Sequence, residues 1–122
     1  MTKILIADDD ELMGDMYKTM LTLEKYDVTL IDQADEVIGK VIELKPSLIL
    51  LDVMMPKING IELLKQLKNN PETKSIPVVI LTNLSVPEQI NQALSLGAVK
   101  YLIKSEYMPQ DISVIIKEIL KI

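Results

Sequence analysis

Short, mostly apolar runs recur along the chain at residues 4–7, 28–31 (interrupted by Thr29), 48–51, 78–81 and 101–103. Runs of about four residues that are apolar at every position suit strands buried on both faces. The stretches between them change period. Leu12, Met16, Met20 and Leu23 fall on one face of a helix, as do Val37, Ile38, Val41 and Ile42. Ile61, Leu64 and Leu67 repeat the pattern, as do Ile90, Ala93 and Leu94. The C-terminal stretch sets Ile112, Ile115, Ile116, Ile119 and Leu120 in one stripe. Each set has the i, i+3, i+4 spacing of an amphipathic helix.

Punctuation agrees with the periodicity. Ser85 and Glu88, three residues apart, read as a capping box, with Pro87 in the first turn of that helix. Gly97 fits a helix C-terminus and Pro109 the first turn of the last helix. Pro46 and Pro77 precede buried strands, where a missing N–H costs little. The longest loop falls at residues 69–76. The order is strand then helix, five times. It predicts an α/β domain over residues 1–122: a (βα)5 doubly wound, parallel five-stranded sheet with helices on both faces. In such sheets ligands sit beyond the carboxyl ends of the strands.

Composition narrows the chemistry. The 122 residues suffice for one domain and are too few for two. The chain has no Cys and no His, which removes disulfides, thiolate nucleophiles, the usual zinc sites and the commonest general base. All 13 cationic side chains are Lys, so an anion must be met by Lys, backbone N–H groups or a metal. The net charge of −5 argues against direct nucleic-acid binding. No apolar run approaches the ~20 residues of a membrane span, and none resembles a signal peptide. The reading is a soluble, cytoplasmic monomer.

The strand ends carry the informative residues. Asp8, Asp9 and Asp10 follow the first run, Asp52 the third, Thr82 the fourth and Lys104 the fifth; Asp32, after the second, reads as a helix N-cap. Each has a bland explanation alone: acidic residues cap helices, a threonine ends a strand, a lysine is solvated. Their coincidence on one sheet edge says more. Asp8, Asp9 and Asp52 in one crevice would repel each other unless a cation relieves them. A hard divalent ion such as Mg²⁺ does this with few protein ligands. With Lys104 and the Thr82 hydroxyl, the set suits a carboxylate nucleophile and stabilisation of a phosphoryl group in transfer.

These motifs resemble the receiver domain of two-component response regulators, the chemotaxis-regulator fold. ILIADDDELM is similar to its acidic pocket, and LILLDVMMPKINGIELL to its phosphorylation segment. VVILTN is similar to its hydroxyl-bearing strand, and GAVKYLIKS to its switch aromatic and lysine. The resemblance covers the whole chain and implies a flavodoxin-like sheet of order 2-1-3-4-5. It implies Asp52 as phosphoacceptor, Asp9 as a direct Mg²⁺ ligand, and Asp8 acting mostly through metal-bound water. The Met54 backbone carbonyl would be the third protein ligand. Thr82 and Lys104 would meet the phosphoryl oxygens, Tyr101 would be the switch aromatic, and Asp10 would cap the helix. The implied donor is a phosphohistidine on a histidine kinase or histidine phosphotransfer protein. The implied output is binding of a downstream protein at the helix from Val86, the last strand and the helix from Pro109. Such a chain catalyses its own phosphorylation and slow dephosphorylation and is not a turnover enzyme.

Three departures stand out. Ser105 follows Lys104 where the family commonly has Pro in a cis bond, which leaves the Lys104–Ser105 peptide geometry open. Asn83 stands where a small residue is commoner and narrows the approach to Asp52. Met54 and Leu84 flank the site with apolar groups that cannot orient a hydrolytic water. Other functions fit less well. A degenerate receiver acting only as a binding module would not need the full Asp8, Asp9, Asp52, Thr82 and Lys104 set. A phosphatase of the haloacid-dehalogenase type leaves Asp52 without a role and has no room for a cap. A flavin-binding fold of similar topology would need a Gly- or Ser/Thr-rich phosphate loop after the first strand, which this chain lacks.

Overall fold

The computed structural model describes all 122 residues, Met1–Ile122. Five strands form one parallel sheet: β1 (Lys3–Ala7), β2 (Asp27–Ile31), β3 (Leu48–Leu51), β4 (Val78–Thr82) and β5 (Lys100–Ile103). The helices between and after them are α1 (Glu11–Leu23), α2 (Val37–Leu44), α3 (Gly60–Asn69), α4 (Pro87–Ser95) and α5 (Pro109–Leu120). Short 3-10 turns at Ala34–Glu36 and Lys104–Glu106 precede α2 and α5. The strand order is β2-β1-β3-β4-β5, as the resemblance implies.

Alternation along the central strands divides the core in two. Leu5, Ala7, Ile49, Leu51, Val78 and Ile80 face α2, α3 and α4, meeting Val41, Leu64 and Ala93. Ile4, Ile6, Leu48, Leu50, Val79 and Leu81 face α1 and α5, meeting Tyr17, Leu21, Ile112 and Ile116. β1, β3 and β4 are therefore apolar at nearly every position because both of their faces are covered. The edge strands β2 and β5 are less buried.

The face that α1 buries differs from the expected one. Gly14, Tyr17 and Leu21 point into the core, whereas Leu12 is 81% and Leu23 78% exposed, with Met16 and Met20 half-buried between them. The helix carries two apolar stripes, and close approach decides between them. A Cβ on Gly14 would lie 3.1 Å from Leu30 Cδ1, so α1 settles on β2 through its glycine side. The Leu12, Met16, Met20 and Leu23 stripe lines an open apolar groove, with Met16 and Met20 also touching the core at its inner edge. The weak Ile90–Ala93–Leu94 stripe of α4 likewise buries only Ala93.

Capping brings further corrections. Val86, not Ser85, occupies the N-cap of α4 and makes no side-chain cap bond, so the Ser85–Glu88 box does not form; Pro87 does open the helix. Asp32 is exposed and caps nothing, since Gln33 precedes the 3-10 turn. Gly97 closes α4 at φ +111°: its N–H donates to Leu94 O and that of Ala98 to Ala93 O, a Schellman motif. Gly60 opens α3 against the chain leaving β3. A Cβ there would lie 2.2 Å from Val53 Cα, closer than any side chain can be accommodated.

Candidate functional site

The site forms where the sheet order reverses. β1 and β3 are neighbours in the sheet, paired up to Ala7 and Leu51, while the chain leaving β1 turns the other way to α1 and β2. The Asp52 N–H donates to Ala7 O at 2.9 Å, which fixes Asp52 beside Asp8. Asp8 and Asp52 are both buried, and Asp9 stands exposed above them. Carboxylate oxygens of all three lie within 4.8 Å of one another. Asp10 is set apart: it caps α1, its Oδ1 accepting from Met13 N–H at 3.1 Å.

Lys104 reaches this cluster from the end of β5. Its Nζ lies 2.7 Å from Asp8 Oδ2 and 2.9 Å from Asp52 Oδ2, and all three side chains are buried. Each carboxylate also accepts a backbone N–H: Asp10 N–H on Asp8 Oδ1 at 3.0 Å, and Met54 N–H on Asp52 Oδ1 at 2.9 Å. Burial raises the Asp8 pKa, helped by the Asp52 charge, against the lowering pull of Lys104 and the Asp10 N–H. Burial opposes the charge on Lys104, but its hydrogen bonds to Asp8 and Asp52 prevail and hold the ammonium above its usual value. The centre is two carboxylates sharing one fixed cation, with a third carboxylate free at the rim.

A cleft of about 300 Å³ opens over Asp52, lined by Asp9, Asp10, Met54, Asn83 and Lys104. The structure separates the two apolar residues expected to flank it. Met54 lines the cleft and its side chain is exposed. Leu84 does not line it; it packs against the core cluster under α2, α3 and α4. Thr82 is fully buried, and its Oγ1 accepts the Leu84 N–H at 3.4 Å. The Tyr101 hydroxyl donates to Leu84 O at 2.7 Å. Thr82 and Tyr101 thus meet the same residue of the loop after β4, one through its N–H and one through its carbonyl. Burial raises the Tyr101 pKa, with the Asp52 charge as a second cause, so the hydroxyl stays a donor.

The chain has no cis peptide bond, so Lys104–Ser105 is trans. Ser105 therefore presents an N–H that a proline would lack, and it donates to Asn83 Oδ1 at 3.1 Å. This bond joins the loops after β4 and β5 across 22 residues of sequence. No local pattern signals it; only the replacement of Pro by Ser hints that an extra donor is available.

The comparisons with known proteins agree with this geometry. The family model of the response regulator receiver domain matches residues 4–117. The chain belongs to the receiver-domain family of response regulators. This receiver is 36% identical over 121 residues to the two-component response regulator ORR7 of Oryza sativa subsp. japonica, covering 97% of the chain and 56% of that protein. It is 34% identical over 119 residues to the alkaline phosphatase synthesis transcriptional regulatory protein PhoP of Bacillus subtilis, covering 98% of the chain and 48% of the relative. The receiver thus spans about half the length of these relatives. Among solved structures, the CheY-like receiver domain protein of Methanospirillum hungatei superposes with a TM-score of 0.92 at 30% identity, covering 99% of this receiver and 94% of that chain. No helix of the receiver is long and apolar enough to cross a membrane.

Proposed function

We propose that the receiver is a phosphorylation switch whose acceptor is Asp52. The observation that carries this is the Asp52 carboxylate at the base of the cleft, with Lys104 Nζ 2.9 Å from one oxygen and the Met54 N–H 2.9 Å from the other. An Asp52 oxygen attacks the phosphorus of a phosphohistidine on a histidine kinase or histidine phosphotransfer protein. The P–N bond breaks, and the imidazole leaves with the electron pair and takes up a proton. Lys104 and the Thr82 hydroxyl meet the charge on the phosphoryl oxygens as they approach.

The acidic cluster fits a hard divalent cation. Its donors are oxygens, burial and the Asp52 charge raise the Asp8 pKa, a shift that a nearby cation would reverse, and Asp9 has no hydrogen-bond or ion-pair partner. Asp8, Asp9, Asp52 and the Met54 carbonyl are the residues that would hold Mg²⁺. The ion supplies positive charge that offsets repulsion between the carboxylates and an incoming phosphate.

The protein donor has a surface to dock on. The apolar groove of Leu12, Met16, Met20 and Leu23 begins two residues after Asp10, at the rim of the cleft, and runs ~16 Å along α1. A helical phosphohistidine protein seated there would bring its imidazole over Asp52. Output follows the loop after β4. A phosphoryl oxygen that draws in the Thr82 hydroxyl moves Leu84, and with Leu84 the carbonyl that holds Tyr101. Phosphate then biases two pre-existing arrangements of α4, β5 and α5 through its contacts with Thr82 and Lys104. This surface binds the downstream protein.

Acetyl phosphate with Mg²⁺ tests the reading. Intact-mass analysis is expected to show one phosphoryl adduct on the wild type and none on Asp52→Asn. Beryllofluoride, a phosphoryl mimic, is expected to shift amide resonances of α4, β5 and α5. An adduct that persists in Asp52→Asn overturns the acceptor assignment, and an unmoved α4-β5-α5 surface overturns the switch.

A further inference from the structure

The side chain of Asn83 has a definite orientation that its exposure alone would not provide. Its Oδ1 accepts the Ser105 N–H at 3.1 Å. A backbone N–H can only donate, so the amide oxygen must face Ser105 and the Nδ2 group becomes the free end. Nδ2 has no partner in the protein, although the residue lines the cleft over Asp52 beside Lys104. The other side chains of the cleft are Asp9, Asp10, Asp52, Met54 and Lys104, so Asn83 is the one among them that carries a neutral N–H donor.

Resting on the phosphoacceptor reading of Asp52, we propose that Asn83 is a further phosphoryl-binding residue: it donates an Nδ2 hydrogen to an oxygen of the phosphoryl group on Asp52, while the Ser105 N–H aims its amide. This differs from the reading of Asn83 as bulk that narrows the approach. A steric gate weakens binding of any phosphoryl group, whereas an aimed donor strengthens it. The Ser105 N–H is the positioning element, and it exists because position 105 is not proline. A donor fixed in advance loses little entropy when the anion arrives, which is how oriented donors gain over mobile ones.

The test uses Mg²⁺ with beryllofluoride as the phosphoryl mimic, and three variants. Asn83→Ala removes both bulk and donor. Asn83→Leu keeps the bulk without the donor. Asn83→Asp keeps the acceptor for Ser105 but has no donor. Asn83 and Ser105 are both exposed, so the fold tolerates these changes. By calorimetry, Ala and Leu are expected to weaken beryllofluoride binding about tenfold or more, the net worth of one hydrogen bond to a charged group, and Asp to weaken it further through repulsion. In NMR spectra, the Asn83 side-chain amide resonances are expected to shift downfield on adding the mimic. Exchange protection of the Ser105 N–H is expected to be lost in Asn83→Ala and kept in Asn83→Asp. If Asn83→Ala binds as tightly as the wild type or tighter, the side chain is only an obstruction and the proposal falls. If the wild type binds no mimic and forms no acetyl phosphate adduct, the acceptor reading of Asp52 falls first, and this proposal with it.

Discussion

Lys104 Nζ sits 2.9 Å from Asp52 Oδ2 and, at 2.7 Å from Asp8 Oδ2, holds a second buried carboxylate as well. One ammonium thus balances two negative charges inside the protein. Removing it leaves two carboxylates buried without a counter-ion, which typically costs ~3–5 kcal/mol. Lys104→Met is therefore expected to lower the melting temperature by roughly 10–20 °C in metal-free buffer. Millimolar Mg²⁺ should restore part of the loss. So should mild acid: burial and the Asp52 charge already raise the Asp8 pKa, and a carboxyl whose folded pKa is raised is destabilising when ionised and recovers as pH falls through that value. Thermal melts by circular dichroism with and without Mg²⁺, at pH 7 and pH 5, check this. A deficit indifferent to both would mean that Lys104 serves packing alone.

Asp9 is the exposed, unpartnered member of the acidic cluster. It contributes nothing to the ion pairs that hold Asp8 and Asp52, so Asp9→Ala should leave metal-free stability within about 0.5 kcal/mol of wild type. The same change should abolish Mg²⁺ binding measured by calorimetry and with it the acetyl phosphate reaction. Unchanged Mg²⁺ binding would remove Asp9 from the ligand set.

Met54 and Leu84 are expected to behave differently. Met54 stands at the cleft, where a polar replacement can orient water toward the phosphorus; Leu84 packs on the core. Met54→Asn should speed loss of the phosphoryl group about tenfold, ~1.4 kcal/mol of barrier. Leu84→Gln should leave that rate unchanged while lowering stability by burying a polar amide. Decay of the intact-mass adduct, set beside a thermal melt, separates the two effects. Equal acceleration by both variants would place Leu84 at the water as well.

The groove on α1 makes a prediction that distinguishes donors. Leu12→Glu and Leu23→Glu change residues already 81% and 78% exposed, so the fold should hold. Transfer from a phosphohistidine protein should slow about tenfold, equivalent to ~1.4 kcal/mol, as expected when an interface loses an apolar anchor. Phosphorylation by acetyl phosphate, which needs no docking, should keep its rate. Parallel intact-mass time courses with the two donors measure this. Equal slowing with both would locate the effect in the site and not in docking.

The strand–helix order, the two-faced burial of the central strands and the placement of Asp8, Asp9, Asp52, Thr82 and Lys104 at one sheet edge were legible in the sequence. Those features follow from local rules: a strand apolar at every position has no solvent face, and a parallel sheet gathers its strand ends on one side. Chain-distant choices were not legible. Which stripe of α1 faces inward depended on how closely Gly14 could approach Leu30. Leu84 was drawn from the cleft into the core by neighbours remote in sequence. The Ser85–Glu88 pair has the spacing of a cap, yet α4 starts at Pro87 after an uncapped Val86. The sharing of Lys104 by two carboxylates, and the Asn83–Ser105 bond, arise between loops brought together only by the assembled sheet. Periodicity reports the surroundings each segment requires; which partner meets which atom is decided when all the segments are packed at once.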